Sequence, residues 1–395
     1  MPLVSALIFA AAAVLVFLTA WIVLPGWNYP LFVLSVGAPE FCAWLLACSL
    51  LAGTLAMTVL RSRRLSRLTF PLAMLSAILA SIPLFRVAPA IRRFDMEIER
   101  GLGSNYLAGV PDQVTRTMRS TPVDLGDLFR GLRDSDALVS HGIRFAEPEG
   151  QGLTLTVYRP NGGGLFPAIV QIYGGAWQRG TPEDQSELGR YLGARGYVVF
   201  AIDYRHAPRW PWPAQIADVR SALGWIRDHA RDYGADVARL ALVGRSAGGQ
   251  LALLAAYEPN APRIRGVVSY YGPVDLADGH RNPPKPDPLG IRAIEEALLG
   301  GTPDSVPVRY REASPITYVT RRLPPTLLVY GGHDHVVEAR VGRLLHERLL
   351  ATGNSSVFLE IPWAEHGFDA VPGGPSAQIS LYYTERFLAW ALKRD

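Results

Sequence analysis

The hydrophobic pattern divides the chain into two unlike parts. Over residues 1–94 apolar positions are nearly continuous. Leu3 to Leu24 is unbroken and about one bilayer long. Leu31 to Leu60 is apolar apart from Glu40, and a span sits best at Phe41 to Leu60. Thr69 to Ile91 is a third stretch, interrupted by Pro71, Pro83, Arg86 and Pro89. The pattern predicts an all-α transmembrane module with spans at about 3–24, 41–60 and 69–91; three spans fit better than two. The first run has no basic segment before it and is followed by another span, so it reads as a retained anchor rather than a cleaved signal.

Beyond Ser140 the pattern changes to short apolar runs separated by glycine and proline. Gly142–Ala146 and Leu153–Tyr158 read as paired leading strands around the Glu147–Gly152 turn. Further strands are predicted at Ala168–Ile172, Tyr197–Tyr204, Leu240–Val243, Ile264–Tyr270, Thr326–Tyr330 and Val357–Ile361. Helices are predicted at Ile216–His229 and Gln250–Ala256. Alternating strand and helix implies an α/β fold, a mostly parallel sheet with helices on both faces. The predicted division is a membrane module at 1–94, a connector at 95–141 with a helical stretch at Val123–Leu132, and a catalytic domain at 142–395. A proline-rich insertion at about 275–317, with a helix near Ile291–Leu299, breaks the alternation and reads as a cap over a pocket.

Charge alters the picture only through its placement. The 395 residues carry a net charge of +4. Residues 1–94 hold seven arginines and one acid, Glu40, which leaves 32 basic and 34 acidic residues downstream. The excess is therefore juxtamembrane, and a nucleic-acid surface is excluded as its explanation. Arg61, Arg63, Arg64 and Arg67 follow the second apolar run, whereas Pro25 to Glu40 has no basic residue. The positive-inside rule then holds the arginine loop and the amino terminus in the cytoplasm. Three spans export the catalytic domain; a third segment lying in the interface would leave it in the cytoplasm, a reading that Arg92 and Arg93 favour weakly. Cys42 and Cys48, the only cysteines, both lie in the second span and offer neither a disulfide framework nor a metal site.

The chemistry is concentrated in Gly244-Arg245-Ser246-Ala247-Gly248, a G-x-S-x-G sequence between a strand and a helix. That context places a serine on a sharp turn with its hydroxyl clear of the sheet. A serine hydroxyl needs a base, and the base an orienting acid. Asp334 follows the Thr326–Tyr330 strand, and His366 follows the Val357–Ile361 strand, giving the order Ser246, Asp334, His366. His333 and His335 flank the acid as loop residues; Glu338 and Glu365 are the reserve acids. Tyr173-Gly174-Gly175-Ala176-Trp177 follows another strand, and its small residues leave N–H groups free for an oxyanion, alongside the N–H of Ala247. Trp177, Trp210, Trp212, Tyr270 and Tyr271 are candidates to line the acyl pocket. Neither a cofactor nor a metal is expected.

From about Gly142 onward the chain resembles the HGG-type carboxylesterases of the α/β-hydrolase superfamily, with their hormone-sensitive-lipase-like, feruloyl-esterase-like and isoprenylcysteine-methylesterase-like branches. The resemblance rests on the elbow, on Asp203-Tyr204-Arg205-His206-Ala207-Pro208, and on Trp212-Pro213-Ala214-Gln215-Ile216-Ala217-Asp218-Val219. It implies the α/β-hydrolase fold, ester hydrolysis, and oxyanion donors at Gly175, Ala176 and Ala247. Tyr173 stands where the family has histidine, which bears on the loop's shape and on substrate preference. Arg245 stands where the hormone-sensitive-lipase-like branch has aspartate, so a neighbouring branch fits better.

The resulting expectation is a multi-pass, membrane-anchored serine carboxylesterase or lipase-like hydrolase with an acyl-enzyme intermediate, acting on a small-molecule or lipid ester. Its pocket candidates are Tyr173, Trp177, Trp212 and Tyr271. The alternatives are an amidase or acyltransferase using the same triad, and a non-catalytic membrane scaffold with a hydrolase fold.

Overall fold

The computed structural model describes residues 2–59, 63–132 and 135–394. Four helices come first: α1 (Pro2–Ala20), α2 (Tyr29–Glu40), α3 (Cys42–Thr58) and α4 (Arg63–Leu102). Two short helices, α5 (Asp112–Thr117) and α6 (Leu125–Arg130), lead into β1 (Leu138–Ala146), β2 (Leu153–Arg159) and β3 (Phe166–Ile172). The chain continues through α7 (Ser186–Gly193), β4 (Val198–Ile202), α8 (Ala214–His229), β5 (Ala235–Arg245), α9 (Ala247–Tyr257) and β6 (Gly266–Tyr270). Then come α10 (Leu276–Arg281), α11 (Ile291–Leu299), α12 (Pro307–Glu312), β7 (Thr326–Gly331), α13 (Ala339–Ala351), β8 (Ser356–Ile361) and α14 (Pro375–Leu392).

The strands form one eight-stranded sheet in the order β1-β2-β4-β3-β5-β6-β7-β8. The β1–β2 and β2–β4 pairs are antiparallel, and the rest of the sheet is parallel. The parallel strands are apolar on both sides, as strands covered on both faces must be. Successive residues of β6 show this: Tyr270 Oη meets Thr384 Oγ1 of α14 at 2.7 Å. Ser269 faces the other way, against Gly249 of α9. β1 begins at Leu138, earlier than the apolar run alone predicts, because Leu138 pairs with Arg159 across a register shift between Ser140 and Ile143.

The N-terminal helices depart from the expected layout. The second apolar stretch is not one helix: α2 and α3 meet at Phe41 with an 81° bend. Glu40, the last residue of α2, accepts the backbone N–H of Ser376 at 3.0 Å, at the start of α14. α4 runs unbroken from Arg63 past the expected boundary at Phe94, despite Pro71, Pro83 and Pro89 within it. Each of these prolines removes one helical hydrogen bond, and packing against α1, α3 and β8 holds the helix together. Arg67 therefore lies on α4, while Leu60 and Arg61 fall outside the described residues. Among the described residues, two helices are long and apolar enough to cross a membrane, over Leu3–Ala20 and Leu65–Leu102; the bent α2–α3 pair counts as a third if taken as one span.

Polar side chains tie these helices together. Ser76 Oγ of α4 lies 2.7 Å from Ser49 Oγ of α3 and 3.2 Å from Thr19 Oγ1 of α1, all three residues buried. Such contacts act as interhelical links in apolar surroundings.

The second half of α4 is part of the catalytic core. Ala90, Phe94 and Ile98 are buried in the same cluster as the central strands. Phe94 packs edge-on against Tyr383 of α14 at 5.6 Å, and Tyr383 Oη donates to Asp95 Oδ1 at 2.8 Å. Arg93 donates to the backbone oxygen of Glu360 in β8. α4 and the sheet thus share one core. Phe94→Ala should lower stability by about 3–5 kcal/mol, the usual cost of emptying a fully buried aromatic site. Thermal unfolding of the full chain in detergent, read by loss of the catalytic-domain signal, would measure it; an unchanged midpoint would show the two parts to be independent.

Candidate active site

β5 ends at Arg245 and α9 begins at Ala247, so Ser246 alone turns the chain from strand to helix. It does so at φ 51° and ψ −123°, a backbone region that a non-glycine residue rarely occupies. The turn is held by Ser246 N–H donating to Tyr270 O at 2.9 Å. The flanking glycines are needed for close approach. A Cβ at Gly244 would sit 2.1 Å from Gly248 O, and one at Gly248 would sit 2.2 Å from Ile172 O.

Three side chains from three strand ends converge here. His366 Nε2 lies 2.9 Å from Ser246 Oγ, and His366 Nδ1 lies 2.8 Å from Asp334 Oδ2. The other oxygen of Asp334 accepts the N–H groups of Val336 and Val337 at 2.8 and 2.7 Å. Those bonds fix the carboxylate, and the carboxylate fixes the imidazole with its Nδ1 proton toward Asp334 and Nε2 free to accept from the serine. Asp334 and His366 are both buried.

The reserve residues are occupied elsewhere. Glu365 Oε1 accepts the N–H of His335 at 2.6 Å and of His366 at 2.9 Å. Its Oε2 lies 2.6 Å from His335 Nδ1, and that carboxylate raises the His335 imidazole above its ordinary value. Glu365 thus supports the His366 loop from its backbone side. Glu338 pairs with Arg340 at 2.6 Å. His333 is held by its backbone to Ala364 O at 3.0 Å.

The loop after β3 supplies backbone donors. Among the described residues, the N–H groups of Gly175 and Ala176 donate to no protein atom. Ala247 is the first residue of α9, so its N–H has no partner within the helix. Tyr173 is 2 % exposed, and its ring stacks on Tyr204 at 4.4 Å, away from Ser246. Its hydroxyl donates to Asp203 Oδ1 at 2.6 Å and lies 2.9 Å from His206 Nε2. Burial pushes that hydroxyl far above the ordinary tyrosine range, so it stays a neutral donor. In the same segment Arg205 clamps Asp218 of α8 through Nε and Nη2, each at 2.9 Å. The Asp203–His206 segment therefore braces the donor loop.

All of this opens into one cavity of about 1060 Å³. Ser246, His366, Gly175, Ala176, Trp177 and Tyr271 line it. Tyr271 stands 4.5 Å from the His366 ring. Trp177 is anchored by Nε1 donating to Gln250 Oε1 at 3.0 Å. Tyr173 and Trp212 are not in the lining: Tyr173 is turned toward Asp203, and Trp212 is buried, with its backbone N–H donating to Leu298 O at 2.8 Å. The 275–317 insertion contributes Asp275, Ile291, Ile294 and Glu295 to the cavity wall. Burial raises the Glu295 carboxyl to about 9, so it is a neutral acid there at physiological pH.

One feature of the site has no clear signal in the sequence. Arg245 is buried, and its guanidinium donates to Asp369 and, at 2.7 Å, to Gln185 Oε1. Asp369 also accepts the Tyr271 hydroxyl. Asp369 lies three residues after His366, and its proximity to a motif residue was its only mark in the chain. Among the described residues, no group of three His, Cys, Asp or Glu is placed to hold a metal ion.

The chain is similar to known esterases in sequence and in fold. The BD-FAE family model matches residues 155–349. A probable carboxylic ester hydrolase, LipM of Mycobacterium tuberculosis, is 29% identical over 368 residues, covering 86% of this chain and 82% of LipM. Esterase LipC of the same organism is 37% identical over 238 residues, covering 55% of this chain and 58% of LipC. The solved esterase of Pyrobaculum calidifontis, at 22% identity, superposes with a TM-score of 0.58 over 71% of this chain and 97% of its own, a likeness of fold. Sequence similarity and fold agree: the chain has an α/β-hydrolase fold, is similar to HGG-type esterases, and is a serine ester hydrolase.

Proposed function

We propose that the protein is a membrane-anchored carboxylesterase that works through an acyl-enzyme. The observation that carries this reading is the unbroken hydrogen-bonded line from Ser246 through His366 to Asp334, opening into a cavity beside unpartnered N–H groups. Ser246 Oγ attacks the ester carbonyl as His366 Nε2 takes its proton. Asp334 keeps the tautomer and stabilises the imidazolium. The N–H groups of Gly175, Ala176 and Ala247 receive the oxyanion, where such donors contribute most in a water-poor site. His366 returns the proton to the departing alcohol, then activates water to release the acid.

Ser246→Ala should reduce ester turnover by several orders of magnitude without unfolding the chain. Asp334→Asn should cost on the order of 10⁴-fold through the wrong imidazole tautomer. His333→Ala should stay within about twofold of the parent, since that ring takes no part in the line. Turnover of p-nitrophenyl acetate checks all three. A near-normal Asp334→Asn enzyme would remove Asp334 from the role of acid.

The anchoring is read from the helices. α1 and the first part of α4 have the length and apolarity to cross a hydrocarbon core of about 30 Å. α3 has 17 residues, roughly 25 Å at 1.5 Å per residue, and the bent α2–α3 pair taken as one span makes a third crossing. The contacts support an odd number. α2 touches the catalytic domain through Glu40, and the end of α4 touches it through Arg93 and Phe94. α3 leads away from those contacts toward the arginine-rich segment, and α4 leads back to them. With arginines inside, the catalytic domain lies outside the cytoplasm. Protease added to intact cells should digest the catalytic domain without lysis; protection until lysis would overturn this sidedness.

A further inference from the structure

The cavity above Ser246 has a wall that does not come from the catalytic fold. Phe32, Val36 and Gly37 of α2, with Phe41, Trp44 and Leu45 at and after the bend, line the same space as Ser246 and His366. α2 and α3 bring no charged side chain to that lining. The wall is attached rather than merely adjacent. Glu40 Oε2 accepts the N–H of Ser376 at 3.0 Å. Trp44 of α3 meets Phe129 of α6 edge-on at 5.2 Å. The Arg179 guanidinium, just past the donor loop, lies 5.8 Å from the Tyr29 ring centre.

We propose that this wall binds the apolar chain of a bilayer-resident ester, a lipid-like substrate whose tail lies along α2 and the start of α3 while its carbonyl reaches Ser246. The proposal rests on the esterase reading and narrows its substrate class. Three observations carry it. First, a cavity of about 1060 Å³ lies at the top of the usual range for small-molecule sites, about 300–1,000 Å³, so a short acyl group would leave most of it unfilled. Second, Val33, Phe41 and Trp44 line the cavity and are still 50%, 49% and 48% exposed. The cavity therefore opens between apolar residues of the N-terminal helices. Exposed apolar clusters of this kind mark contact with lipid or apolar ligand. Third, a helix that only tethered the enzyme would need no place in the site, yet α2 is bonded to α14 and bends 81° from α3 to reach it. An ester chain can pass from the lipid into this arm without crossing water.

The test uses the full chain in phosphatidylcholine nanodiscs, with p-nitrophenyl palmitate and p-nitrophenyl acetate as substrates. Gly37→Leu places a side chain into the arm; a Cβ there meets only Phe41 Cδ2, at 3.9 Å, so the helix tolerates it. Trp44→Ala removes part of the wall. In both variants the ratio of palmitate to acetate turnover should fall about tenfold, the scale on which an apolar pocket discriminates chain size. Labelling by a fluorophosphonate reports whether the site is folded in each variant, and if one variant fails to label, the other decides. A parent enzyme that favours acetate, or an unchanged ratio in a variant that labels normally, overturns the proposal and leaves the esterase reading intact. A parent that neither labels nor hydrolyses either ester overturns both.

Discussion

The structure turns on one steric constraint, the close passage of α9 beneath the ends of β3 and β5. With Gly248 almost touching Ile172 O and Gly244 almost touching Gly248 O, the strand must turn into the helix at a single residue. That residue is Ser246, held at positive φ. Its hydroxyl is lifted to the carboxyl edge of the parallel strands, and the first N–H groups of α9 face the same space. Asp334 and His366 arrive from the ends of β7 and β8, which follow in order along that edge. Parallel pairing brings residues distant in sequence to one rim, and the elbow aims the serine into it.

Around that rim, buried polar pairs hold loops that have no regular structure of their own. Asp334 is fixed by two backbone N–H groups, His366 by Glu365, and Tyr173 by Asp203 and His206. Each satisfies a polar group that would otherwise be stranded in a core, and each sets the position of a loop. Arg245 and Asp369 follow the same logic beneath the cavity. A buried guanidinium needs a carboxylate partner, and here the partner also accepts the Tyr271 hydroxyl beside the His366 ring.

The N-terminal helices are joined to this machinery through both α4 and α2. The end of α4 enters the main core through Phe94 and Ile98. α2 closes over the cavity and is bonded to α14 through Glu40. Glu40, the lone acid among 94 residues, is thus explained by its contact with a backbone N–H more than three hundred residues away.

Much of this was legible from local pattern. The strands at 326–330 and 357–361, the helix at 291–299 and the strand–serine–helix turn all depend on short-range periodicity and steric rules, which a sequence carries directly. The order Ser246, Asp334, His366 was legible because each candidate follows a recognisable strand. Other features were not. Tyr173 and Trp212 are aromatics near the site in sequence, yet their rings lie outside the cavity, because ring direction depends on partners such as Asp203 that periodicity does not name. The apolar run from Leu31 to Leu60 looked continuous, since nothing local distinguishes a span from two helices bent at Phe41. The sequence by itself determined which segments are apolar, where the sheet's strands lie and which residue turns at the elbow, because those follow from contacts within a few residues. Only the tertiary structure decided that α2 walls the cavity, that α4 shares the catalytic core, and that Asp369 neutralises Arg245. Each of those depends on surfaces that meet only once the whole chain has closed on itself.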